Sequence, residues 1–88
     1  MANLETGLAM INVLFFGRLG DFAKQVPSTI EASTPAEIRD LLAADFPELV
    51  RELNQPQVLV SVNKMIVGWD QPLFDGGEVA FLPPVTGG

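Results

Sequence analysis

From Met10 to Phe16 the chain reads Met-Ile-Asn-Val-Leu-Phe-Phe, a run rich in side chains that favour extended backbone. Side chains alternate across a strand, so Ile11, Val13 and Phe15 form one set and Asn12, Leu14 and Phe16 the other. The set holding polar Asn12 is expected to face away from the core. Gly17 to Asp21 reads as a turn, with Phe22 tucked back beneath it. Val26 to Ala32 reads as a second strand, antiparallel to the first. Pro27 confines it to an edge or a strand start, because proline donates nothing to the ladder.

Thr34-Pro35-Ala36-Glu37 marks a helix start: Thr34 can cap, Pro35 suits the first helical position, and Glu37 stands where a capping box needs it. Ile38, Leu41 and Leu42 then share one face, opposite Arg39 and Asp40. Asp45-Phe46-Pro47 ends the helix, and Glu48 to Leu53 is a short helical turn that packs through Leu49, Val50 and Leu53. Val58 to Val62 is a third strand, turning at Asn63-Lys64 into a short fourth strand, Met65 to Val67. There Met65 and Val67 share one face and Ile66 takes the other. Gly68 to Leu73 is an irregular crossover anchored by Trp69, and Asp75-Gly76-Gly77 is a tight turn. In the last strand, Glu78 to Leu82, Val79 and Phe81 point inward and Glu78, Ala80 and Leu82 outward.

This order gives one main amphipathic helix to cover one mixed sheet, a two-layer α+β domain. The last strand is expected in the sheet interior beside the first. The domain is expected over residues 10–84, with a disordered leader at 1–9 and a flexible tail at 85–88.

The chain carries eleven acidic and five basic residues, a net charge of −6. Phosphate backbones require the opposite sign, so nucleic acid is excluded as a direct partner. No apolar run approaches a membrane span, and the first residues lack the basic and apolar regions of a signal peptide. Neither a membrane association nor an export route is expected, which leaves the cytoplasm.

The sequence contains no cysteine, histidine or tyrosine. That removes a cysteine nucleophile, a disulfide framework, a Cys/His metal site and a histidine general base. Carboxylates could still do acid–base work, but Glu31, Glu37, Asp40, Asp45, Glu48 and Glu52 fall mostly on helical or loop surface and read as a solvated face. No metal and no cofactor is expected on the chain itself.

One candidate for chemistry is left, the end Leu82-Pro83-Pro84-Val85-Thr86-Gly87-Gly88. Pro83 and Pro84 fix φ and favour an extended path away from the domain. Gly87 and Gly88 lack Cβ atoms, so the backbone there is slender. At about 3.3–3.6 Å per residue, the residues after Pro84 reach on the order of 13 Å. A frayed terminus is the plain alternative, but the prolines and the strand aimed at them favour a tail that delivers a carboxylate into a narrow pocket.

The segment Asp75-Gly76-Gly77-Glu78-Val79-Ala80-Phe81-Leu82-Pro83-Pro84-Val85-Thr86-Gly87-Gly88 resembles the end of the MoaD family, the small subunits of molybdopterin synthase. Ile11 to Gly17 resembles that family's first strand, and Val62-Asn63, Val67 and Asp70-Gln71-Pro72-Leu73 resemble its middle. A terminal Gly-Gly alone is shared by all ubiquitin-like carriers; the Gly-Glu-Val-Ala-Phe-Leu-Pro-Pro-Val run is far more specific. Gly77 departs from the pattern, which often has an acidic residue there.

The resemblance implies a β-grasp, ubiquitin-like fold and a sulfur carrier that is not catalytic alone. It implies that a ubiquitin-activating-type adenylyltransferase, similar to MoeB, spends ATP to adenylate the Gly88 carboxylate. A sulfurtransferase would then leave a thiocarboxylate on Gly88. A large synthase subunit, similar to MoaE, would take up the tail and use that sulfur on cyclic pyranopterin monophosphate to build the molybdopterin dithiolene. A carrier for thiamine or tRNA thiolation, or a ubiquitin-like protein modifier, is the alternative. Strand parity adds a partner surface on the outward face: Phe16, Ile66 and Leu82, near the tail if the first and last strands are neighbours.

Overall fold

A computed structural model describes residues 9–84 of the chain. The expected leader, apart from its last residue, and the expected tail residues Val85, Thr86, Gly87 and Gly88 lie outside the described residues. Five strands form one mixed sheet: β1 (Met10–Phe15), β2 (Thr29–Glu31), β3 (Leu59–Val62), β4 (Met65–Val67) and β5 (Glu78–Leu82). Their order is β2-β1-β5-β3-β4. β1 and β5 are parallel, and the other neighbouring pairs are antiparallel. Three helices, α1 (Leu19–Phe22), α2 (Pro35–Leu42) and α3 (Pro47–Leu53), contribute to a core on one side of the sheet. This is the β-grasp arrangement, a two-layer α+β domain with its last strand inside the sheet beside the first.

The core follows from strand parity. Ile11, Val13, Val60, Val79 and Phe81 point to the covered face, and all are buried. Leu19 from α1, Ile38 and Leu42 from α2, and Leu49 and Leu53 from α3 meet them in one cluster. The Phe81 ring is sandwiched in stacked geometry by Phe15, centroids 5.3 Å apart, and by Trp69, 5.5 Å apart. Trp69 is thus the anchor expected of it, and the Arg39 guanidinium lies 4.3 Å above its ring, binding α2 to the crossover.

The start of α2 uses its capping residues with one shift. The Thr34 hydroxyl accepts from the Glu37 N–H at 3.1 Å, as a capping box requires. The Glu37 carboxylate reaches back one residue further than the box, to the Ser33 N–H at 2.6 Å and the Ser33 hydroxyl at 2.8 Å. Those donors hold the Glu37 carboxyl below its ordinary range, the backbone N–H contributing most.

Four expectations need correction. Gly17 to Asp21 is not simply a turn, because Leu19–Phe22 closes a short helix whose Leu19 is buried. The second strand is confined to Thr29–Glu31, leaving Pro27 outside the ladder. Leu41 is exposed rather than packed. At about 100° per residue, Pro35, Ile38 and Leu42 define the buried stripe, and Leu41 lies about 90° off its centre. Ala9 belongs to the domain rather than to the leader: it is buried, and its carbonyl accepts from the Ala32 N–H at 3.0 Å.

The open sheet face and the root of the tail

Among the described residues, no helix lies over the other face of the sheet. Register places its side chains in rows across the strands. Because Phe15 pairs with Phe81 in parallel and Leu82 with Leu59 in antiparallel register, Phe16, Leu82 and Leu59 form the row at the end where β5 leaves the sheet. The next row is Leu14, Ala80, Ser61 and Ile66, and the one beyond begins with polar Asn12 and Glu78. The face therefore grades from polar to apolar toward the tail. Leu14, Phe16, Leu59 and Ile66 are 40%, 47%, 46% and 60% exposed and share this one face.

The tail leaves from the apolar end. β5 is held on both sides by ladder bonds, and the Phe16 N–H donates to the Phe81 carbonyl at 3.0 Å just before the strand ends. Pro83 then lies against the turn after β1. Gly17 has φ +57°, and a Cβ there would stand 2.8 Å from Pro83 Cγ, so its backbone forms a close seat for the proline ring. Pro84 borders a cleft lined by Arg18, Glu52 and Gln55, in which Arg18 and Glu52 pair at 3.4 Å. The root of the tail is thus fixed by the domain's most central strand and by the turn between β1 and α1.

The structure brings Phe16 and Leu82 together in one row with Pro83 directly after them. Ile66 stands on the same face but two strands from Leu82. Two apolar members of the face were not among the three residues singled out from the sequence. Leu14 was already given outward parity by strand alternation. Leu59 needs the β3–β5 register, which no local pattern supplies. Ala80 does point outward, but it lies sunk between taller neighbours and is buried. No group of three or more His, Cys, Asp or Glu that could hold a metal occurs among the described residues, and no described helix is long and apolar enough to cross a membrane.

A β-grasp domain whose central strand runs out into a C-terminal tail, beside an open apolar face, defines a ubiquitin-like carrier class. The chain belongs to the ThiS family, whose model matches residues 13–88. The resemblance to MoaD holds over most of the chain. It is 38% identical to the molybdopterin synthase sulfur carrier subunit of Escherichia coli, over 90% of this chain and all of that one. Its structure is similar to a chain from the Helicobacter pylori complex of subunits 1 and 2 of molybdopterin-converting factor. That match has a TM-score of 0.59 and 27% identity, and covers 90% of this chain and 99% of the other. The fold is also that of the small archaeal modifier protein 1 of Methanosarcina acetivorans, with a TM-score of 0.76 at 21% identity over 92% and 98% of the two chains.

Proposed function

We propose that this protein is the sulfur carrier subunit of a molybdopterin synthase, acting through a thiocarboxylate on Gly88. The observation that carries the reading is the placement of the tail root: a strand paired on both sides leads into Pro83 and Pro84 at the apolar edge of an open face. A partner that covers the face receives the tail at a fixed position, so the reactive end enters its pocket with little orientational freedom to lose.

The chemistry follows from the poverty of a free carboxylate as an electrophile. An α-carboxyl group has a pKa of about 3.3–3.7 and is ionised at neutral pH. A partner enzyme joins one carboxylate oxygen to the α-phosphorus of ATP and releases pyrophosphate. The outer sulfur of a sulfurtransferase persulfide then attacks the carbonyl carbon and AMP leaves; a thiol exchanges with the resulting acyl disulfide, leaving the thiocarboxylate and a disulfide on the sulfurtransferase. The large subunit binds cyclic pyranopterin monophosphate and directs the sulfur onto it; hydrolysis returns Gly88 to its carboxylate, and two such donations complete the dithiolene. Acid–base side chains belong to the partners. This chain supplies the tail, its fixed root and the docking face of Phe16, Ile66 and Leu82, joined by Leu14 and Leu59.

The test is co-purification with the large synthase subunit of the same organism, followed by transfer of sulfur from the loaded carrier to cyclic pyranopterin monophosphate. A stable complex and product formation are expected. Loading without transfer to the pterin, but with transfer to a thiamine precursor or to tRNA, would assign the carrier to another pathway. Isopeptide conjugates through Gly88 would make it a modifier.

A further inference from the structure

The open face is not flat. Ala80 on β5 and Ser61 on β3 are direct partners at its centre and are only 6% and 9% exposed, although no helix covers them. The height of their neighbours buries them. Leu14 and Phe16 stand on the β1 side, and Lys64 and Glu78 close the end toward the hairpin, around a hollow of about 260 Å³. Two of the smallest side chains on the face thus lie next to each other in a patch otherwise built of Leu, Ile and Phe.

The size of the hollow narrows what it can hold. An apolar cavity of about 150 Å³ accommodates benzene, whereas pockets that enclose a drug-sized ligand begin at about 300 Å³ and carry several convergent polar groups. This hollow has the Ser61 hydroxyl at its floor and Lys64 and Glu78 at one end only, while Leu14, Phe16 and Ala80 make up the rest of its lining. It matches one bulky side chain better than a free metabolite. A second copy of the chain is disfavoured as the source, because two molecules of charge −6 repel.

Resting on the partner reading above, we propose that this hollow is the anchor pocket of the docking face. It takes a single bulky apolar side chain, of leucine or phenylalanine size, from the large synthase subunit. Position supports that source. Ala80 lies on the strand that carries the tail, two residues before Leu82 and eight before Gly88. A side chain seated over Ala80 therefore pins the tail-bearing strand itself. The end of the tail then lies within at most roughly 26–29 Å of chain, so the anchor and the pocket for Gly88 fall on one partner. Buried pockets of this kind near the middle of an interface hold the few residues that dominate binding.

The variant Ala80→Leu fills the hollow from below on a face that no described helix covers. Titration of the full-length chain with the purified large subunit is expected to show binding weakened about thirty-fold or more. The thermal midpoint should stay within a few degrees of wild type, and Leu41→Ala, at an exposed leucine on the helical side of the sheet, should bind as wild type does. Wild-type affinity for Ala80→Leu overturns the proposal and leaves the partner reading standing. Absence of binding by the wild-type chain overturns the partner reading and the proposal together. Self-association of the wild type that Ala80→Leu abolishes, with large-subunit binding unchanged, overturns it in favour of a second copy. Should Ala80→Leu not fold, the Ala80 methyl of the wild-type complex serves instead: proximity to partner side-chain protons by NMR is expected, and the absence of any partner proton near this methyl overturns the proposal.

Discussion

Along β5, Val79 and Phe81 point into the core while Ala80 and Leu82 point to the open face, so two kinds of selection act on alternate residues of one strand. The covered face is closed by aromatic stacking and by helix residues that are almost inaccessible. The open face keeps leucine, isoleucine and phenylalanine in water. Burial of a large apolar side chain is worth about 1.5–3 kcal/mol. The first face realises that gain on folding, and the second holds it in reserve for association. In this domain the side chains that hold the fold and those left for association thus lie on opposite sides of the same backbone.

The comparison breaks most severely at Phe81. Phe81→Ala removes the ring between Phe15 and Trp69 and should cost about 3–5 kcal/mol. That is a large part of a small domain's total stability, and chemical denaturation would measure it. Phe16→Asp, on the other face, should leave stability within about 0.5 kcal/mol yet cost 2 kcal/mol or more in assembly with the large subunit. Normal assembly of this variant would remove the docking face from the account. Thr34→Ala deletes the hydroxyl that caps α2 and should lower stability by about 1 kcal/mol without changing partner affinity.

The smallest effect concerns Glu37, whose carboxyl is held below its ordinary value by the Ser33 N–H and hydroxyl. A carboxyl depressed in the folded state stabilises above its unfolded pKa of about 4.3, and the contribution disappears as pH falls through the folded value. Wild type should therefore exceed Glu37→Gln in thermal midpoint near neutral pH, with the gap narrowing below about pH 4. A gap independent of pH would assign the effect to the side chain's shape rather than to its charge.

Much of this architecture was legible because local chemistry and global arrangement agree. The Thr34–Glu37 start, the alternation from Met10 to Phe15 and the turn at Asn63-Lys64 each announce themselves, and both turn residues adopt positive φ. Placing the last strand beside the first gave the exit of the tail. The readings that failed depended on information absent from any short window. α1 is a four-residue helix with no side-chain cap, so neither periodicity nor capping could signal it. Leu41 satisfies helical spacing but lies outside a stripe that runs from Pro35 through Leu42 to Ile38, an extent that spacing from Ile38 alone does not find. Leu59 and Ala80 required register: one reaches the apolar row of Phe16 and Leu82 only through its pairing with Leu82, and the other is sunk because its neighbours across the sheet are taller.

The most direct test is fragment mass spectrometry of the full chain after incubation with ATP, an activating enzyme and a sulfur source. Exchange of one carboxylate oxygen for sulfur has nearly the same nominal mass change as methionine oxidation. With Met1, Met10 and Met65 in the chain, the shift has to be localised to a fragment ending in Gly88. The account predicts sulfur on Gly88, dependent on ATP and lost when Gly88 is deleted. An unmodified Gly88 in the presence of a demonstrably competent activating enzyme would contradict it.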